Sequence, residues 1–158
     1  MTQSTVYVET TVIGHLVGRL LKDPVVAGRQ TVTRQWWPTA LTKHRLFVSR
    51  LVADECGAGD AEAAAERLAV LNSLEFLAAS AEVDELAEQF ISGHAIPETE
   101  PRDAAHIALA AVHGIDYLVT WNFKHIANPS TRAAIECICR NAGYAPPIIC
   151  TPDELAEE

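Results

Sequence analysis

Five short runs rich in β-branched or aromatic residues punctuate this chain, and stretches of helical periodicity separate them. The runs are Thr5-Val6-Tyr7-Val8, Leu46-Phe47-Val48, Glu75-Phe76-Leu77-Ala78, Tyr117-Leu118-Val119-Thr120 and Ile148-Ile149-Cys150. Strands separated by helices cannot pair through tight hairpins. Each returns through a crossover, so the strands run parallel and helices cover both faces of the sheet. The expected class is α/β, a three-layer α/β/α sandwich around a central, mainly parallel sheet of four to five strands. With 158 residues and no linker, repeat or low-complexity tract, the chain is expected to form one domain over 1–158.

Capping residues mark the helices. A short apolar helix is expected over 12–21. Asp23-Pro24 reads as N-cap and first helical residue of a helix over 25–37, which Pro38 should kink or end. Ser49 is placed to cap a helix over Arg50–Cys56 that Gly57 stops, and Asp60 to cap one over Ala61–Leu71. Ser80 opens a helix in which Val83, Leu86, Ala87, Phe90 and Ile91 share one face. Pro101 and Gly114 bracket an alanine-rich helix over 102–113, and Asn128-Pro129 opens a last one over 129–143.

No apolar run approaches the ~20 residues of a membrane-spanning helix, and the opening MTQSTVYVETTV lacks the basic and apolar regions of a signal peptide. A cytoplasmic location with no membrane contact is expected, with the four cysteines as thiols acting as small apolar fillers. Neither G-x-G-x-x-G nor a P-loop occurs, so no nucleotide cofactor is expected. The formal net charge of −9 conceals an asymmetry. Residues 1–50 carry seven basic side chains against Glu9 and Asp23, a local balance of +5, while the remainder stands at −14. A polyanionic partner is therefore not excluded.

Ligands of open parallel sheets bind at the carboxyl ends of the strands. Glu9 follows the first strand and Asn122 the fourth; Glu55 lies two turns into the helix after the second, and Asp103 in the first turn of its own helix. Convergence of three carboxylates and an amide calls for a cation. Hard oxygen donors suit Mg²⁺ or Mn²⁺, completed by water and substrate phosphate. The alternative for each carboxylate is helix capping or surface solvation.

Four segments resemble the acidic motifs of PIN-domain proteins, in family order. Val6-Tyr7-Val8-Glu9-Thr10-Thr11 is similar to the opening strand, Val48-Ser49-Arg50-Leu51-Val52-Ala53-Asp54-Glu55 to the second motif, and Asp103-Ala104-Ala105-His106-Ile107-Ala108-Leu109-Ala110 to the third. Thr120-Trp121-Asn122-Phe123-Lys124-His125-Ile126 is similar to the fourth. The resemblance implies a metal-dependent ribonuclease fold, and many bacterial members are toxins of type II toxin–antitoxin pairs of the VapC kind. It further implies that Glu9, Glu55 and Asp103 are metal ligands, that Asn122 acts in the fourth position and that Thr120 orients it. Two departures stand out. Glu9 replaces a common Asp, and Asn122, where Asp is frequent, removes a charge.

The expected function is cleavage of RNA phosphodiester bonds with Mg²⁺ or Mn²⁺, the chain being held inactive by a protein antitoxin. The alternative is a PIN scaffold, catalytically weak or inactive, that binds RNA or a protein partner. A phosphoacceptor domain fits poorly, because Asp103 falls within a helix and not at a strand end. Candidate substrate contacts are Thr10, Thr11, His106, Lys124, Arg29 and Arg34. His106, one turn after Asp103, either meets a phosphate when protonated or is simply a buried helix histidine. Trp36 and Trp37 point about 100° apart on a helix, so one is expected in the core and the other exposed at a partner or homodimer contact.

Overall fold

The computed structural model describes residues 2–156. Its elements are β1 (Thr5–Val8), α1 (Thr10–Leu16), α2 (Pro24–Lys43), β2 (Arg45–Ser49), α3 (Arg50–Cys56), α4 (Ala61–Leu71) and β3 (Glu75–Leu77). They continue with α5 (Ala81–Ser92), α6 (Pro101–Val112), β4 (Tyr117–Val119), α7 (Pro129–Asn141), β5 (Ile148–Cys150) and α8 (Pro152–Ala156). The five strands form one sheet in the order β3-β2-β1-β4-β5, and every pairing is parallel. Tyr7 sits at its centre, in register with Phe47 on one side and Leu118 on the other.

Helices α1 to α4 and α8 pack among themselves, whereas α5 packs against α6 and α7. Right-handed crossovers place these two groups on opposite faces of the sheet. The result is the expected three-layer α/β arrangement, with a single apolar core running from Val6 through Phe90 and Ile107 to Leu155. The strands at the centre read as continuous apolar runs because both faces are covered: Val6, Tyr7 and Val8 have no exposed surface. Among the described residues no helix is long and apolar enough to cross a membrane.

The capping logic is visible in the hydrogen bonds. Asp23 accepts from the N–H groups of Val25 and Val26 at 2.9 and 3.1 Å, Asp60 from Ala63 at 3.0 Å, and Asn128 from Ser130 at 2.9 Å. Ser49 and Ser80 each accept from the residue three places on, at 3.3 Å.

Several expectations need correction. Helix α1 ends at Leu16, short of residue 21, and Gly18 then turns the chain at φ +89°. Arg34 donates to the carbonyls of His15 and Gly18, satisfying groups that a longer helix would have used itself. Helix α2 does not stop at Pro38 but runs to Lys43. Trp36 and Ala40, buried on either side of the proline, anchor both halves to the core and outweigh its local cost of ~3 kcal/mol. Helix α8 was unexpected although Thr151-Pro152-Asp153-Glu154 carries its signature. Glu154 accepts from the Thr151 N–H at 2.9 Å, one arm of a capping box.

Trp36 is in the core as one of the pair should be, but Trp37 is half-buried and packs edge-on against it at 6.0 Å. The expected exposed member of the pair is thus partly covered within the chain itself. No disulfide joins the four cysteines; Cys56, Cys139 and Cys150 are buried, whereas Cys137 is exposed. Burial pushes the Cys56 and Cys139 thiols up to about 11.

Candidate metal centre

The strand order turns at β1 and β4: from β1 the chain builds outward to β2 and β3, then returns to add β4 and β5 on the other side. Such a switch point leaves a crevice outside the carboxyl ends of the two strands. Glu9 stands there, the residue after β1, with its N–H donating to Val119 at 3.1 Å and extending the β1–β4 ladder by one bond. Its side chain is almost completely buried, at 3% exposure. The Thr120 hydroxyl donates to Glu9 Oε1 at 2.6 Å and the Thr11 hydroxyl donates to the same oxygen.

Glu55 reaches the crevice from the second turn of α3. Its Oε1 accepts from the Thr10 hydroxyl at 2.6 Å and from His106 Nε2 at 2.7 Å. One carboxylate oxygen each of Glu9 and Glu55 and a ring nitrogen of His106 all lie within 4.8 Å of one another. Among the described residues no donor reaches Oε2 of either carboxylate, and neither oxygen is sealed from solvent. Burial alone would raise the Glu55 carboxyl. The His106 hydrogen bond, the Thr10 hydroxyl and the Arg102 charge oppose it, and Glu55 is held below its ordinary range.

His106 has no exposed surface. Its Nδ1 lies 2.7 Å from the Tyr7 hydroxyl, which in turn lies 2.8 Å from Ser49 Oγ. Burial pushes the Tyr7 phenol far above its usual value, so it stays protonated. One assignment satisfies every group: Ser49 donates to Tyr7, Tyr7 to His106 Nδ1, and Nε2–H to Glu55. In this arrangement both ring nitrogens of His106 are engaged by protein groups, one of them Glu55. The sequence held one signal for this, since a tyrosine inside a strand buried on both faces must find a partner for its hydroxyl.

Asp103 belongs to a neighbouring group. It gathers with Glu100 and His125, whose ligating atoms lie within 4.8 Å of one another. Burial pushes the Asp103 carboxyl up, against the opposing pull of the Asn122 amide and the His125 charge. Asn122 is held at both ends: its N–H donates to Thr120 Oγ1 at 2.9 Å, and its Oδ1 accepts from the His125 N–H at 3.0 Å. Thr120 therefore links Glu9 to Asn122 through one hydroxyl. The role of Glu100 carried no recognisable spacing signal, because it precedes its helix as a residue with no side-chain cap bond.

The remaining candidates lie at varied distances from this centre. Thr10 and Thr11 hold the two carboxylates. Lys124 and His125 border an open cleft of about 840 Å³ that Glu9, Glu55 and His106 do not line. Arg34 is committed to main-chain carbonyls, and Arg29 lies over the rings of Trp121 and Phe123.

The donor set suits a divalent cation. Two carboxylates this close repel unless one is protonated or a cation lies between them. The pull on Glu55 keeps it ionised, and each carboxylate retains an unclaimed oxygen. Mg²⁺ typically takes one or two protein carboxylates and keeps its other positions for water and phosphate.

No protein-family model matches this chain, and no curated protein does. Solved structures do. It superposes on VapC20 of Mycobacterium tuberculosis, a Sarcin-Ricin loop cleaving toxin, at a TM-score of 0.56 and 20% identity over 77% of this chain and 93% of that one. It also superposes on VapBC2 of Rickettsia felis, bound to a DNA fragment from its promoter, at a TM-score of 0.55 and 18% identity. That match covers 79% of this chain and 93% of the other. The five-stranded parallel sheet, its strand order and these superpositions give the chain the PIN-like fold of VapC proteins.

Proposed function

We propose that this chain is a divalent-cation-dependent endoribonuclease and the toxin of a type II toxin–antitoxin pair. The observation that carries this reading is the pair Glu9 and Glu55 at the switch point of the sheet, each with one carboxylate oxygen claimed by no donor. The fold shared with a toxin that cleaves the sarcin-ricin loop supports RNA as the substrate. The fold shared with VapBC2 supports a partner protein.

Glu9, Glu55 and Asp103 would hold Mg²⁺ or Mn²⁺, with Asn122 alongside. A cation bound there supplies positive charge to phosphodiester oxygens and makes water a better nucleophile at neutral pH. The chain contributes preorganisation. Thr11 and Thr120 hold Glu9, while Thr10 and His106 hold Glu55, so neither carboxylate needs to reorient when substrate arrives. The basic first fifty residues then supply the favourable field for a polyanion that an acidic centre lacks.

The test is cleavage of RNA in Mn²⁺ or Mg²⁺, with EDTA and Asp103→Asn as controls. Cleavage lost under both controls supports the reading. Undiminished cleavage by Asp103→Asn removes Asp103 from the proposed site, undiminished cleavage by Glu55→Gln removes the site itself, and RNA retained without any cleavage selects the inactive scaffold.

A further inference from the structure

Immediately beyond Asn122 the chain presents an aromatic and cationic surface that the metal centre does not use. Trp121 and Phe123 flank Asn122, their rings edge-on with centroids 6.1 Å apart. The Arg29 guanidinium lies 5.0 Å from the Phe123 centroid and 5.7 Å from that of Trp121. Trp121 is a buried base for this group, at 8% exposure, whereas Phe123 leaves 44% of its surface to solvent.

The assembly is fixed on every side. Trp121 Nε1 donates to Thr33 Oγ1 at 2.8 Å, and the same Thr33 hydroxyl donates to the Arg29 carbonyl at 2.6 Å. The Trp121 N–H donates to Thr11 Oγ1 at 2.9 Å, and Thr11 in turn holds Glu9. Thr11 thus links the main chain of Trp121 to Glu9 by one hydrogen bond on each side. No carboxylate among the described residues pairs with Arg29. A half-exposed phenyl ring beside a guanidinium without a counter-ion is a poor solvent surface. Together they match one chemical object, a flat base attached to a phosphate.

Resting on the ribonuclease reading, we infer that Phe123 and Arg29 form a nucleotide subsite. An unpaired base of the RNA stacks on Phe123, and the adjoining phosphate meets the Arg29 guanidinium. Stacking needs an unpaired base, so the subsite selects loops or single strands over duplex and is tolerant of base identity. The charge of the surrounding segment argues for RNA over an acidic protein, because α2 and its flanks offer both a planar aromatic face and excess positive charge.

The experiment is fluorescence anisotropy with a short labelled single-stranded RNA of mixed sequence in EDTA, run beside a duplex of equal length. Cleavage by the wild-type chain in Mn²⁺ is measured in parallel. Phe123→Ala should weaken single-strand binding about 5- to 150-fold, leave duplex binding unchanged and keep the salt dependence of wild type. Phe123→Trp should restore affinity. Arg29→Ala should weaken binding and reduce the slope of log K against log salt by about 0.7. Equal single-strand affinity for wild type and Phe123→Ala overturns the subsite, even where the wild-type chain cleaves RNA. So does no single-strand binding by wild type, or a Phe123→Ala chain that changes only its oligomeric state, which would assign the surface to a second copy. Loss of cleavage with the binding pattern intact strikes the ribonuclease reading instead.

Discussion

Replacing Tyr7 by Phe removes one oxygen from the centre of the sheet and tests how Glu55 is held. The ring keeps its volume and no cavity opens. What is lost is the hydroxyl that lies 2.7 Å from His106 Nδ1 and 2.8 Å from Ser49 Oγ. Ser49 keeps the Val52 N–H at 3.3 Å, and His106 keeps Glu55 at 2.7 Å. Each therefore loses one partner, in a region without solvent. Two buried hydrogen bonds and an acceptor left unpaired correspond to about 2–3 kcal/mol of lost stability. For a chain of this length that lowers Tm by roughly 4–12 °C. The second consequence is specific to the site. An imidazole anchored at one end no longer dictates the direction of Glu55, and Mn²⁺ affinity should fall about 10-fold or more. Thermal denaturation and calorimetric titration with Mn²⁺ read the two effects separately. Unchanged Mn²⁺ affinity in a folded, destabilised Tyr7→Phe protein would refute the claim that the Tyr7–His106 chain orients Glu55.

Gly93→Ala supplies the control for destabilisation away from the site. A Cβ there meets Ile138 Cδ1 at 2.9 Å and the Gln89 carbonyl at 3.0 Å, so urea denaturation should show a loss of ~1–2 kcal/mol with Mn²⁺ affinity unaltered. Thr33→Val keeps the side-chain shape but removes the acceptor from buried Trp121 Nε1, and the same measurement should register ~1–3 kcal/mol. Acid titration separates two carboxylates of opposite sign. Glu55 is held below its ordinary range, so its contribution is present above the unfolded-state pKa near ~4.3 and disappears as pH falls through its lower folded value. Asp103 is pushed up, so its ionisation costs stability at neutral pH and that cost is relieved as pH falls through its raised value. In metal-free protein Asp103→Asn should therefore be more stable than wild type at pH 7 by urea midpoint, and Glu55→Gln less stable, with both differences shrinking in acid.

Much of this architecture can be read from local chemistry. Asp23, Ser49, Asp60, Ser80 and Asn128 each signal a helix start, and each caps one. The sheet is legible because β1, β2 and β4 are apolar on both faces, which parallel strands under two helical layers require. Pro38 misleads because its penalty is local while the burial of Trp36 and Ala40 is tertiary. At the site, positions at strand ends follow from the topology, which accounts for Glu9 and Asn122. Whether helix-borne Glu55 and Asp103 meet those strand ends depends on how α3 and α6 dock. Docking brings Glu55 to Glu9 through His106 but gathers Asp103 with Glu100 and His125. Spacing along the chain cannot express that distinction, since Asp103 and His106 are three residues apart on one helix and fall into different groups.

On the proposed reading, activity depends on which of these two groups takes the cation, and anomalous scattering from a crystal soaked in Mn²⁺ tests this directly. The predicted result is a manganese peak in contact with the Oε2 atoms of Glu9 and Glu55, lost in Glu9→Gln. A peak only among Glu100, Asp103 and His125, or no peak at either group in crystals that still cleave RNA, would contradict it.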